Sequence, residues 1–167
     1  GGKGCTTELV RRGRRAGGNM GEWYVVGGAV RDLLLGRPAH DVDISFSGGR
    51  EFFVQRFPSA RNTGHGPEIW LVGAEEFTPV EGGDIEKDML TRDLTVNAAA
   101  FDAQGRLYCH PDFLKDMRSR ELRPVSAEAF VKDPLRIFRV ARFAAAWPDW
   151  SVPAQTLEVM RETCRLH

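Results

Sequence analysis

Trp23-Tyr24-Val25-Val26-Gly27-Gly28-Ala29-Val30-Arg31-Asp32-Leu33-Leu34-Leu35-Gly36-Arg37, followed after three residues by Asp41-Val42-Asp43-Ile44-Ser45-Phe46, decides how this chain folds. Trp23 to Val26 is aromatic and β-branched and runs straight into two glycines, which predicts a short buried strand ending in a turn. Ala29 to Leu35 predicts a helix, stopped by Gly36 and Pro38. Asp41 to Phe46 alternates polar and apolar residues, the period of a half-buried strand, and Gly48-Gly49 ends it. The unit is therefore a sheet with a helix against it.

Outward from that unit, the pattern predicts a helix over about 50–57 and two strands, 68–72 and 76–80, close enough to pair as a hairpin. An acidic helical turn through Asp88 and Leu90 comes next, then a strand near 95–101 and a short one around Leu107. From Ala127 the pattern is helical to Trp147; Pro148 and Pro153 break it before a last helix ending at Leu166. The expected class is α/β with a helical extension. Its expected divisions are a flexible segment over 1–20, a sheet-bearing unit over 21–125 and helices over 126–167. Gly-Gly-Lys-Gly-Cys-Thr at the start has a passing likeness to a phosphate loop, but no strand precedes it.

A chain of 167 residues with 42% hydrophobic and 28% charged residues belongs with ordinary globular domains, not with disordered or disulfide-built ones. The longest uncharged apolar stretch, Trp23 to Val30, is too short to span a membrane. Cys5, Cys109 and Cys164 lie far apart, which argues against a disulfide framework and a zinc site; a reducing cytoplasm is expected. The formal net charge of +0 hides segregation. Residues 1–15 and 115–142 are basic, residues 75–93 are acidic, and 19 of the 23 basic residues are Arg, whose planar fork grips phosphate.

On a strand, Asp41 and Asp43 would project to one face, and two carboxylates that close call for a shared cation. Mg²⁺ suits carboxylates together with phosphates, and a metal pair can clamp an in-line displacement. A solvated strand face would read the same way. Gly27-Gly28, between strand and helix, lets backbone N–H groups approach a phosphate, and Arg31 could add a fork; a structural turn would also read so. The histidines His40, His65, His110 and His167 show no ligand spacing, and Trp70, Trp147 and Trp150 read as packing residues.

Taken together, Gly27 to Arg37 with Asp41-Val42-Asp43-Ile44, Thr91-Arg92-Asp93-Leu94-Thr95-Val96-Asn97-Ala98, and Asp133-Pro134-Leu135-Arg136-Ile137-Phe138-Arg139-Val140-Ala141-Arg142-Phe143 resemble the three signature blocks of the bacterial tRNA nucleotidyltransferase/poly(A) polymerase family, CCA-adding type. The resemblance implies a nucleotidyltransferase-like small mixed sheet with flanking helices, a catalytic head over 21–125 and the start of a helical neck over 126–167. It implies that Gly27, Gly28 and Arg31 meet nucleotide phosphates and that Asp41 and Asp43 hold Mg²⁺ and activate an RNA 3′-hydroxyl. Arg92 and Asp93 would meet the nucleotide and its ribose. Asp133 and Arg136 would read the base edge of ATP or CTP, with Arg139 and Arg142 continuing that side of the helix. A third carboxylate is expected at Glu76, with Glu75 as the rival, because a one-residue slip reverses the face.

Thr91 and Lys132 depart from the Arg and Glu that usually precede the second and third blocks. Family members continue into further helices that grip tRNA, so a fragment or a short relative is expected. The implied function is Mg²⁺-dependent addition of CMP, AMP or both from CTP and ATP to an RNA 3′ end, tRNA foremost. Adenylation of other RNAs, or nucleotide binding without transfer, are the alternatives.

Overall fold

The computed structural model describes residues 21–64 and 67–167. The segment over 1–20 expected to be flexible, Cys5 within it, and His65 lie outside the described residues. Seven strands form one mixed sheet in the order β3-β4-β5-β2-β1-β6-β7. The strands are β1 (Trp23–Val26), β2 (Asp43–Phe46), β3 (Arg61–Asn62), β4 (Trp70–Val72), β5 (Glu75–Pro79), β6 (Ala99–Asp102) and β7 (Leu107–Cys109). Strand β1 runs antiparallel to β6 and to the central strand β2; β2 and β5 are the parallel pair. The α/β expectation holds.

Registry assigns each face. Trp23 pairs with Phe46 and Val25 with Ile44, while Ile44 pairs with Phe77 and Phe77 with Trp70. These residues share one face, where helix α2 (Gly49–Arg56) buries Phe53 among them. Phe46 and Phe53 stack with ring centroids 4.4 Å apart, and Trp23 meets Phe57 and Phe77 edge-on. Such pairs add to the area they bury. The opposite face carries Tyr24 and Val26 under the short helix α3 (Ile85–Met89). Beyond that helix the same face shows Asp43, Ser45, Glu76 and Thr78, with the two hydroxyls 3.0 Å apart.

The remaining helices are α1 (Gly28–Leu34), α4 (Phe113–Ser119), α5 (Glu128–Lys132), α6 (Arg136–Ala146) and α7 (Ala154–Leu166). One apolar cluster joins Val30, Leu94 and Phe113 to Phe130, Val140 and Trp150. The expected division at 125/126 thus falls inside a shared core. Trp70 and Trp150 are buried, as read from the sequence. His110 is a packing residue too: its Nδ1 accepts from the Asp112 N–H, so its Nε2 donates to the Val125 carbonyl.

Four expectations change. Strand β2 starts at Asp43, leaving Asp41 in the bend before it. The predicted strand over 95–101 is a 3₁₀ turn at Thr95–Asn97 followed by β6, because Thr95 donates to buried Asp116 and Asn97 turns inward. The long helix from Ala127 is broken at Asp133, which sits before Pro134 at φ −145° and ψ 90°; proline's ring excludes the helical region for the residue before it. Helix α4 and strand β3 are not anticipated.

Candidate active site

The site gathers at the edge where β1 ends and β2 and β5 begin. Gly27 caps α1 at φ 75°, a conformation open to glycine, and its N–H bonds the Ala99 carbonyl at 2.9 Å. A Cβ on Gly27 would stand 3.9 Å from Arg92 Nη1, so that guanidinium lies beside the turn. A Cβ on Gly28 would come within 3.1 Å of Arg31 Nη2, so a side chain there would press on that guanidinium.

Asp43 and Glu76 occupy the same sheet face, one step before the Ile44–Phe77 pair. Glu75 pairs with Val72 on the opposite face, beside Trp70 and Phe77. Register therefore puts Glu76, and not Glu75, on the face of Asp43. Partial burial raises the proton affinity of the Asp43 carboxyl; the charges of Glu76 and Asp41 add to this, and Arg92 and Arg139 oppose it. These five charged groups form one electrostatic cluster. Among the described residues no three acidic, His or Cys side chains close to ligating distance. An open set of carboxylates fits Mg²⁺, which takes one or two of them and completes its octahedron with waters and substrate phosphates.

Arg92 donates from Nη2 to Asp88 Oδ2 at 2.8 Å, and Asp88 Oδ1 accepts the Glu81 N–H at 3.1 Å. Asp88 thereby ties Arg92 to the loop leaving β5. Asp93 is buried; its Oδ1 accepts the Leu94 N–H at 2.7 Å and its Oδ2 lies 3.0 Å from Arg139 Nε. The sequence reading missed Asp88 and Asn97 as site residues. Their spacing alone does not show that Asp88 turns inward from helix α3 and Asn97 from the 3₁₀ turn.

Arg31 is held by protein partners in this structure. It is 7% exposed, bonds Asp32 at 3.0 Å and the Asn97 side chain, and lays its guanidinium 4.3 Å over the Trp147 ring. Desolvation lowers its proton affinity, against the pull of Asp32. The side chain is fastened between helices instead of standing free as a phosphate fork. Trp147 packs as read, with this added stacking role.

The third block also changes. Asp133 precedes α6, so the four residues Asp133, Arg136, Arg139 and Arg142 do not share one continuous helix. Asp133 Oδ1 accepts the Leu135 N–H, and its Oδ2 lies 3.6 Å from Arg136 Nε. Arg136 Nη1 donates to the carbonyls of Arg92 and Ala129, and Nη2 to that of Thr91. Of the five guanidinium protons, three go to these carbonyls, and the one on Nε and one on Nη2 are left without a hydrogen-bonded acceptor. Arg139 reaches Asp93, whereas Arg142 is exposed at the far side of Phe143.

Residues 23–76 match the poly(A) polymerase head domain family. The chain is 38% identical over 162 residues to the Multifunctional CCA protein of Dechloromonas aromatica, covering 83% of this chain and 38% of that protein. It is similar in structure to the Bacillus stearothermophilus CCA-adding enzyme in complex with CTP, with a TM-score of 0.77 at 32% identity, over 92% of this chain and 41% of that one. A CCA-adding enzyme in complex with ATP gives a TM-score of 0.79 at 26% identity, over 97% of this chain and 41% of that one. The chain spans about two fifths of the length of these relatives.

Proposed function

We propose, on the premise that residues 23–76 belong to the poly(A) polymerase head-domain family, that this chain is the catalytic head of a nucleotidyltransferase that adds CMP and AMP to the 3′ end of tRNA. The observation that carries the reading is the placement of Asp43 and Glu76 on one face of the sheet, with Arg92 beside the Gly27 turn. Residues 21–125 would be the head and 126–167 the first neck helices. The relatives crystallised with CTP and with ATP support these nucleotides as substrates. We place the reaction in the cytoplasm; among the described residues no helix is long and apolar enough to cross a membrane.

In this reading the Gly27-Gly28 turn and Arg92 hold the triphosphate, Asp88 keeping Arg92 aimed. Asp93 meets the ribose. Asp133 accepts from the exocyclic amine of cytosine or adenine, and Arg136, fixed by three main-chain carbonyls, offers its free Nη2 proton to the base edge. Asp41 and Asp43 would hold Mg²⁺, with Glu76 as the third carboxylate on that face, and the ion would supply positive charge to the phosphates and to the attacking oxygen. The 3′-hydroxyl loses its proton to water as its oxygen bonds to the α-phosphorus, the α–β P–O bond breaks, and pyrophosphate leaves. Positioning and charge neutralisation supply the acceleration.

The test is 3′ extension of tRNAs ending before, within and after CCA, using labelled CTP and ATP with Mg²⁺, and Asp41→Ala with Asp43→Ala as control. Extension that disappears in the control is expected, and the reacting tRNA and nucleotide define whether C, A or both are added. Nucleotide binding without extension at high tRNA concentration would leave a nucleotide-binding module instead.

A further inference from the structure

Asn97 sits in the second block, yet nothing in the proposed chemistry touches it. It is 6% exposed, and both ends of its carboxamide are engaged. Its Oδ1 accepts from Arg31 Nη1, and its Nδ2 donates to Asp93 Oδ1 at 3.3 Å. The orientation is unambiguous, because a guanidinium only donates and a carboxylate only accepts. Arg31 is itself immobilised by Asp32 and by the faces of Trp147 and Phe143. Asn97 thus carries the position of a fixed arginine on α1 to a carboxylate in the second block.

The other half of that carboxylate is unfinished. Asp93 Oδ1 takes both the Leu94 N–H and the Asn97 amide, while buried Oδ2 faces Arg139 without an aligned hydrogen bond. A buried acceptor without a hydrogen bond is costly unless something else supplies one. Arg139 is half-exposed, so it can swing away and admit a donor to Oδ2.

We infer that Asn97 is a positioning residue for sugar recognition: it pins Oδ1 of Asp93 so that Oδ2 is the oxygen left to accept a ribose 2′-hydroxyl. The inference rests on the reading of Asp93 as the ribose contact. Asn97 then sets the preference for ribonucleotides without touching the nucleotide. A 2′-hydroxyl offered to a carboxylate free to rotate would meet an oxygen already shared with the Leu94 N–H.

The test measures equilibrium binding of labelled CTP and dCTP, with Mg²⁺, to the full chain and to Asn97→Asp and Asn97→Ala. Asn97→Asp keeps the acceptor for Arg31 and loses the donor to Asp93, but it also sets a second carboxylate beside Asp93; that charge acts on CTP and dCTP alike, so the readout is the ratio of their affinities. The native chain is expected to prefer CTP. In Asn97→Asp the preference for CTP over dCTP should fall about tenfold. Asn97→Ala should lose the same preference together with a lower melting temperature. Equal weakening of CTP and dCTP in Asn97→Asp, or an unchanged preference, overturns the inference while leaving the proposed function standing. A native chain that binds neither nucleotide overturns the proposed function. One that binds both alike overturns the ribose reading of Asp93 and this inference with it.

Discussion

The two faces of β2 are used in opposite ways. On one, Ile44 and Phe46 are buried with Phe53, Trp70 and Phe77 in a cluster of rings. On the other, two residues of the same short strand place a carboxylate beside Glu76 and a hydroxyl against Thr78. The first face gains from every atom it removes from water; the second gathers like charges, which repel. The aromatic face holds the strand in place firmly enough for its other side to carry groups that would not assemble by themselves. Catalytic sites commonly take this form, with local strain held by a well-packed support.

The sharpest way to separate the faces is to change one residue on each. Asp43→Asn removes a charge without removing volume, and tRNA extension should fall about 10³-fold, about 4 kcal/mol in the barrier, with no loss of folded protein at neutral pH. Phe53→Ala should do the reverse. It should lower unfolding free energy by about 3 kcal/mol, the low end for such a deletion, since Phe46, Phe57, Trp70 and Phe77 surround the gap and can move into it. Urea unfolding and extension rates at a temperature where both variants are folded would check this. If Phe53→Ala cut extension as deeply as Asp43→Asn, the two faces would not be separable.

Face assignment also explains what the sequence discloses. The alternation in Asp41 to Phe46 and the run from Trp23 into Gly27-Gly28 are local patterns, and they locate the central strands and the turn. The failures are places where a distant partner decides. Thr95 and Asn97 look like strand residues until Asp116 and Arg31 claim their side chains. Arg31 and Arg136 look like free arginines until Trp147 and three main-chain carbonyls occupy them. The break at Asp133 was within reach, because a residue before proline leaves the helical region. Choosing Glu76 over Glu75 needed the pairing of Ile44 with Phe77, which no single strand reveals.

That choice gives a smaller test. Glu76→Gln should slow extension about 30-fold, about 2 kcal/mol, while Glu75→Gln, on the ring-bearing face, should leave it within about twofold. Steady-state rates at saturating CTP distinguish them, and a slower Glu75 variant with a normal Glu76 variant would mean that β5 is shifted by one residue in solution.

The smallest effect concerns stability, and its sign follows from the crowding at Asp43. Its carboxyl holds a proton more tightly in the fold than when unfolded, because of partial burial first and the charges of Glu76 and Asp41 next, with Arg92 and Arg139 opposing. The folded state therefore binds more protons than the unfolded one, and this group's contribution to stability falls as pH rises through its raised folded value. At pH 7 the ionised carboxylate costs stability; below the ordinary value of 3.8 that cost is gone. Asp43→Asn should accordingly melt slightly higher than the native chain at pH 7 in EDTA, and the gap should close as the pH is lowered below that value. Adding Mg²⁺ at pH 7 should raise the native melting temperature more than that of the variant, since an ion that binds only the folded carboxylates stabilises by mass action. A variant that melts lower than the native chain at pH 7 in EDTA would show that Arg92 and Arg139 already compensate the cluster, and the contrast between the two faces of β2 would then be one of chemistry without a cost in stability.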